Sequence, residues 1–174
     1  MCLPQPLHIA IKEEHEEIAL KLLSMSMSSP VYQVDVNICD AEGDTPLITA
    51  LENDMLKVAD MLIFAGADVQ IKSKSIASRS LLHHYASRGA ADILKMITDA
   101  ATFDAAMVTE ACGSLQFTPL HLAARAGRVE ACTFLLPMSN IDAVDLNGKT
   151  AAELAQANRK TKVHKVIVDF KRSS

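Results

Sequence analysis

A short motif returns five times along this chain, and that recurrence limits the fold more than any other feature does. Thr118-Pro119-Leu120-His121-Leu122-Ala123-Ala124 is echoed by Thr45-Pro46-Leu47-Ile48-Thr49-Ala50 and by Gln5-Pro6-Leu7-His8-Ile9-Ala10. Looser copies are Ser80-Leu81-Leu82-His83-His84-Tyr85-Ala86 and Thr150-Ala151-Ala152-Glu153-Leu154-Ala155. The motif's leucine falls at positions 7, 47, 82 and 120, with Ala152 in the fifth copy, so successive steps are 40, 35, 38 and 32 residues. Self-similarity at such a period is the mark of a repeat array, in which each unit is one supersecondary element stacked on the next.

Local chemistry identifies that element. Thr45 and Thr118 can cap a helix, and Pro46 and Pro119 then occupy the first helical position, where the missing N–H costs nothing. Each copy of the motif is therefore a helix start. Counting from inter-helix turns at 14, 54, 89, 127 and 159, the fourth residue is Ile18, Val58, Ile93, Ala131 or Val163 and the eighth is Leu22, Leu62, Ile97, Leu135 or Ile167. Residues four apart share a helix face, so every second helix is expected to carry an apolar stripe that only a neighbouring pair can cover. Ala10, Ala50, Ala123 and Ala155 recur in the first helices, where close crossing requires small side chains. Tyr85 breaks that rule, and the third pair is expected to splay locally or to place the ring in the groove.

The motif resembles the ankyrin repeat, with its period of about 33 residues and its Thr-Pro-Leu-His-x-Ala signature. Phe64-Ala65-Gly66-Ala67-Asp68-Val69 is similar to the family's turn after the second helix. Asp40-Ala41-Glu42-Gly43-Asp44 and Asp145-Leu146-Asn147-Gly148-Lys149 are similar to its hairpin tips. The resemblance implies an all-α ankyrin-repeat solenoid: one domain over 1–174, of five helix-turn-helix repeats at about 3–39, 40–74, 75–112, 113–144 and 145–172 with hairpin-like connecting loops. Long connections at 24–33 and 98–112 are similar to those of the inhibitor-of-NF-kappa-B branch, which implies a sequestering inhibitor.

Composition sets further bounds. With 49% apolar and 22% charged residues the chain has the balance of a globular protein. Cys2, Cys39, Cys112 and Cys132 are scattered, which fits reduced thiols in a cytoplasmic or nuclear setting. No apolar run approaches the ~18 residues of a membrane span, so no membrane association is expected. The net charge of −4 argues against general nucleic-acid affinity. It hides an asymmetry: residues 1–87 hold six Lys/Arg against twelve Asp/Glu, and residues 88–174 eleven against nine, hence −6 and +2. Glu13, Glu14, Glu16 and Glu17 are expected to make the first repeat polar outside, and Lys160, Lys162, Lys165 and Lys171 to do so for the last.

Catalytic chemistry finds little support. The six glycines are isolated, so no phosphate-cradling loop exists, and no nucleophile elbow occurs. His8, His83 and His121 are expected to bond to backbone or to the capping hydroxyl, tying adjacent repeats. His15 in Glu13-Glu14-His15-Glu16-Glu17 lacks the second histidine of a zinc helix. Cys132 reads as a packed thiol on an apolar stripe. The expectation is a monomer with no enzymatic activity, no cofactor and no metal. A hydrolase or transferase site assembled from His83, His84, Tyr85 and Cys112 is the competing possibility, and a segment of a larger scaffold, channel or kinase is another.

The ankyrin resemblance implies a protein partner held by the hairpin tips and the inner faces of the first helices. Carried over by position, it selects Glu42, Asp44, Ile76, Arg79, Leu115, Phe117, Leu146 and Lys149 at tips and Glu52, Asn53, Arg88 and Arg125 on first helices. Ile76, Leu115, Phe117 and Leu146 are apolar where turns are normally polar, so either they face a partner or, for Leu115 and Phe117, they fold back onto the adjacent hairpin. Charge reversal at Arg88 and Arg125 is expected to weaken binding while leaving the melting temperature nearly unchanged.

Overall fold

The computed structural model describes residues 6–28, 33–72 and 79–173. These form eleven α-helices and one 3-10 turn among the described residues, with no strand longer than an isolated bridge. The class is an all-α repeat solenoid, and by its internal contacts the chain divides into two compact units, Met1–Ser78 with Asp99–Phe103, and Arg79–Thr98 with Asp104–Ser174.

The first unit holds two helix pairs: α1 (Pro6–Lys12) with α2 (Glu16–Ser28), and α3 (Pro46–Glu52) with α4 (Leu56–Phe64). The second holds α5 (Leu81–Arg88), α6 (Ala91–Asp99, its last residue assigned to the first unit), the short α7 (Ala106–Thr109), α8 (Pro119–Ala126), α9 (Val129–Leu135), α10 (Ala151–Ala157) and α11 (Thr161–Ser173). First helices stack on first helices and second on second, α1 on α3, α8 on α5 and α10, and α11 on α9. The starts obey the capping argument: Thr45, Ser80, Thr118 and Thr150 have extended backbone and accept from the N–H three residues on.

The inter-helix turns share one backbone device. Glu14, Asp54, Gly89, Gly127 and Arg159 all have left-handed φ, at 58°, 60°, 85°, 78° and 57°. In each, the following N–H reaches back to a first-helix carbonyl, as His15 does to Ala10 and Arg128 to Ala123. This reversal lays the second helix against the first. At Gly127 the methylenes of Lys160 lie where a Cβ would sit, 2.7 Å from the Lys160 Cδ.

The core contains the expected stripe with one departure. Val58, Leu62, Ile93, Ile97, Ala131, Leu135, Val163 and Ile167 are buried. In α2, however, Ile18 is 52% exposed and the buried residues are Ala19 and Leu23, one place further along. Within this unit α2 packs against α4, and among the described residues no pair precedes α1 and α2. Glu13, Glu14 and Glu17 are exposed and Glu16 half-buried, while Ile18 and Met25 are exposed apolar residues of the same helix pair. Tyr85 is 1% exposed, so its ring is buried and not in a groove.

The long connections are partly structured. Ser24–Ser28 extends α2, and Ser26 Oγ accepts from the Val34 N–H at 2.9 Å. In the second, Thr102 belongs to the first unit: its Oγ1 donates to the Ala67 carbonyl at 2.9 Å and accepts from the Val69 N–H at 3.3 Å.

Candidate functional site

The motif histidines show how the tips are held to the first helices. His8 Nε2 faces the Asp44 carbonyl at 3.1 Å, His83 Nε2 the Glu110 carbonyl at 3.0 Å, and His121 Nε2 the Lys149 carbonyl at 3.1 Å. A carbonyl only accepts, so Nε2 carries the proton and donates. Nδ1 then accepts from the capping hydroxyl, Ser80 for His83 and Thr118 for His121, both at 2.7 Å. His121 thus joins its own helix start to the next tip, His83 joins its helix start to the end of α7, and His8 ties α1 to the 40–44 tip. Burial pushes His121 below the usual 6.5, against the opposing pull of the Lys149 carbonyl and of Asp145.

The tips are braced internally as well. Asp40 Oδ1 accepts from the N–H groups of Glu42 and Asp44 at 3.0 and 2.9 Å, and Asp145 Oδ1 accepts from those of Asn147 and Lys149 at 2.8 and 2.9 Å. These Asx turns fix the tip backbone and aim its remaining side chains outward.

In the first unit, Glu42 lies exposed at the tip and Glu52 exposed at the end of α3. Asp44 is half-buried and supplies the carbonyl for His8, while Asn53 donates through Nδ2 to the Ile11 carbonyl at 2.9 Å, a structural tie between the two pairs. Glu42 shares an open groove with Ile9, Lys12, Glu13, Ala41 and Thr49. Ile9 is 49% exposed there, and it was missed in the sequence reading. Ile9 follows the motif histidine as Leu122 does, and the residue in the register of Phe117 is there Pro4, which lies outside the described residues.

In the second unit the tip residues divide. Phe117 is 6% exposed, folded back onto Leu122 and Leu154, with Cys112 and half-buried Leu115 packed alongside. The Cys112 and Phe117 backbones pair in both directions at 2.8 and 2.9 Å, and this bridge turns the ring inward. Of the two possibilities for Phe117, the buried one is realised. Leu146 is instead 67% exposed, though its N–H is held by the Leu115 carbonyl at 3.0 Å. Lys149 is exposed and Arg79 half-buried. Arg125 places its guanidinium 5.1 Å from the Phe117 ring centre, and Arg88 lies 5.9 Å from that of Tyr85. Both remain solvent-exposed. Ile76 lies outside the described residues.

In the competing group of His83, His84, Tyr85 and Cys112, the Cys112 side chain packs against the Phe117 cluster and the His84 ring stands edge-on to Tyr85. His83 has both ring nitrogens engaged and Tyr85 is buried. Cys132 is buried with its pKa pushed up to about 12, which removes it as a nucleophile. Among the described residues no three His, Cys, Asp or Glu side chains cluster as metal ligands, and no helix is long and apolar enough to cross a membrane.

Comparison with known families follows the same lines. A family model described as "Ankyrin repeats (3 copies)" matches residues 3–73 and 82–172. This chain belongs to the ankyrin-repeat family. Among curated relatives, this ankyrin chain is 38% identical over 123 residues to human Rabankyrin-5, covering 68% of the chain and 10% of that relative. It is 34% identical over 131 residues to the human transient receptor potential cation channel subfamily A member 1, covering 75% of the chain and 11% of the channel. The chain therefore spans about a tenth of the length of these relatives. Neither name is that of an inhibitor of NF-kappa-B, and the loop-length resemblance to that branch gains no support from them. Ankyrin repeats are typically non-catalytic protein-interaction modules, and nothing in the site points to enzymatic activity.

Proposed function

We propose that this chain is a non-catalytic adaptor or sequestering module that holds a partner protein against its tips and the inner faces of its first helices. One observation carries the reading. The histidine and aspartate bonds spend the polar groups of the tips on rigidity, while Glu42, Glu52, Arg88, Arg125, Leu146 and Lys149 are left exposed on that rigid frame. Pre-set side chains on fixed backbone lower the ordering cost of association. The acidic set belongs to the first unit and the basic set to the second, so a partner of complementary polarity is favoured.

The length ratio supports a second form of the same reading, in which the chain works as the ankyrin segment of a larger scaffold, channel or kinase. Cytoplasmic or nuclear residence and a monomeric state accompany both forms.

Capture from native lysate tests the reading, with the chain compared against its Arg88→Glu/Arg125→Glu variant. Partner affinity is expected to fall at least about tenfold, the equivalent of ~1.4 kcal/mol. Because both guanidiniums stack on buried rings, the variant is also expected to lose about 1–2 kcal/mol of stability, more than the sequence reading allowed. A folded variant that captures the partner with unchanged affinity would exclude this face.

A further inference from the structure

We propose that the inter-helix turns of the second unit form a basic strip that takes an acidic, extended segment of a protein other than the one held at the tips. The tips precede the first helices and these turns follow them, so the strip lies at the opposite end of those helices and stands apart from the partner face described above.

Residues 79–98 and 104–174 hold twelve Lys/Arg against eight Asp/Glu, hence +4. Five of those cations gather on two grooves, Arg88 and Arg128 on one and Arg159, Lys160 and Lys162 on the other, with Glu130 the one carboxylate among the described residues that line them. All five are exposed. Gly127 and Val129 border both grooves and join them into one track. The repeat itself sets the cations in file. The residue after the left-handed turn of one pair lays its stem on the turn glycine of the pair before: Arg128 Cδ stands 2.7 Å from where a Cβ of Gly89 would sit, and Lys160 Cδ 2.7 Å from that of Gly127. Arg128 Nε also donates to the Ser87 carbonyl at 3.2 Å, which fixes where this guanidinium is presented.

The surroundings of the strip select its occupant. Packed helices lie roughly 8–10 Å apart and an extended chain advances about 3.3 Å per residue, so carboxylates three residues apart meet successive turns. Single-stranded nucleic acid binds by stacking bases on aromatic side chains, and the described residues of both grooves include none. Stable bilayer attachment couples charge to apolar insertion. Here Val129 is half-buried and Val163 buried, while the exposed Met138, Val144 and Leu146 lie beyond the far end of α9. An acidic polypeptide needs neither a stacking platform nor an apolar anchor, only charge that complements the strip.

The test titrates the full chain into a fluorescein-labelled peptide of four Asp-Gly-Ser units and reads anisotropy. Saturable binding is expected at about 50 mM salt, weaker by at least about tenfold at about 300 mM, and absent for the Asn-Gly-Ser counterpart. Arg128→Gln/Lys162→Gln should weaken it about four- to twentyfold, whereas Lys95→Gln/Arg172→Gln, which removes equal charge elsewhere on the same unit, should change it less than about twofold. Lys162→Gln alone, at an exposed position of α11, should weaken it about two- to fivefold with the fold unchanged by circular dichroism. Amide resonances of Gly89, Gly127 and Thr161 should shift on binding. Shifts centred on Gly148 would place the acidic chain on the tips and overturn the strip. No saturable binding, or equal loss in the two double variants, would overturn it as well. Tighter binding of duplex DNA or of phosphatidylserine vesicles, lost in Arg128→Gln/Lys162→Gln, would overturn the acidic polypeptide as its occupant.

Discussion

His121 condenses the chemistry of the array into one side chain. Its Nδ1 meets the Thr118 hydroxyl, its Nε2 meets the Lys149 carbonyl, and its ring is buried, so a proton on Nδ1 must displace a hydrogen bond in a poorly solvated place. Burial therefore holds its pKa below 6.5. The unfolded chain then binds the proton more readily, and stability rises with pH between the folded value and 6.5. The contribution is complete above 6.5 and is lost as pH falls through that window. Urea midpoints from pH 7.5 to 5 should fall less steeply for His121→Gln than for the unaltered chain; parallel slopes would show that this ring does not titrate on folding. The role of such histidines was legible in the motif, because a ring three residues after a capping hydroxyl has few other places to bond. The fate of Phe117 was not, since an apolar residue at a tip is equally compatible with a partner and with the neighbouring hairpin, and only the Cys112–Phe117 bridge decides between them.

At the scale of the element, each helix pair depends on a left-handed residue at its inter-helix turn. Gly127 adopts φ 78° without penalty, whereas Arg159 adopts φ 57° at the equivalent place with a Cβ. Gly127→Ala should cost about 1–2 kcal/mol and Arg159→Gly should gain up to about 1 kcal/mol, both read from urea denaturation. Equal stability of both variants and the parent would mean that the turns do not carry this strain. Periodicity made the second-helix stripe visible from Val58 to Ile167, because a spacing of four names the residues that share a face. It could not say whether a neighbour covers that face, and Ile18 lies where none of the described residues does.

For the molecule as a whole, recurrence of the motif was enough to read the fold, while the site was legible only in outline. Position alone selected Glu42, Glu52, Arg88, Arg125, Leu146 and Lys149, which stand exposed, but it also selected Asn53, whose amide ties α3 to α1, and it passed over Ile9. A resemblance marks which positions usually touch a partner; exposure at each depends on the side chains around it. The central claim, that tips and first helices grip a partner, is tested most directly by hydrogen–deuterium exchange of the chain with and without the protein it captures. Protection is expected around 40–53, 79–88, 114–126 and 145–149, with α4, α6, α9 and α11 unchanged. Protection confined to those four second helices would contradict it.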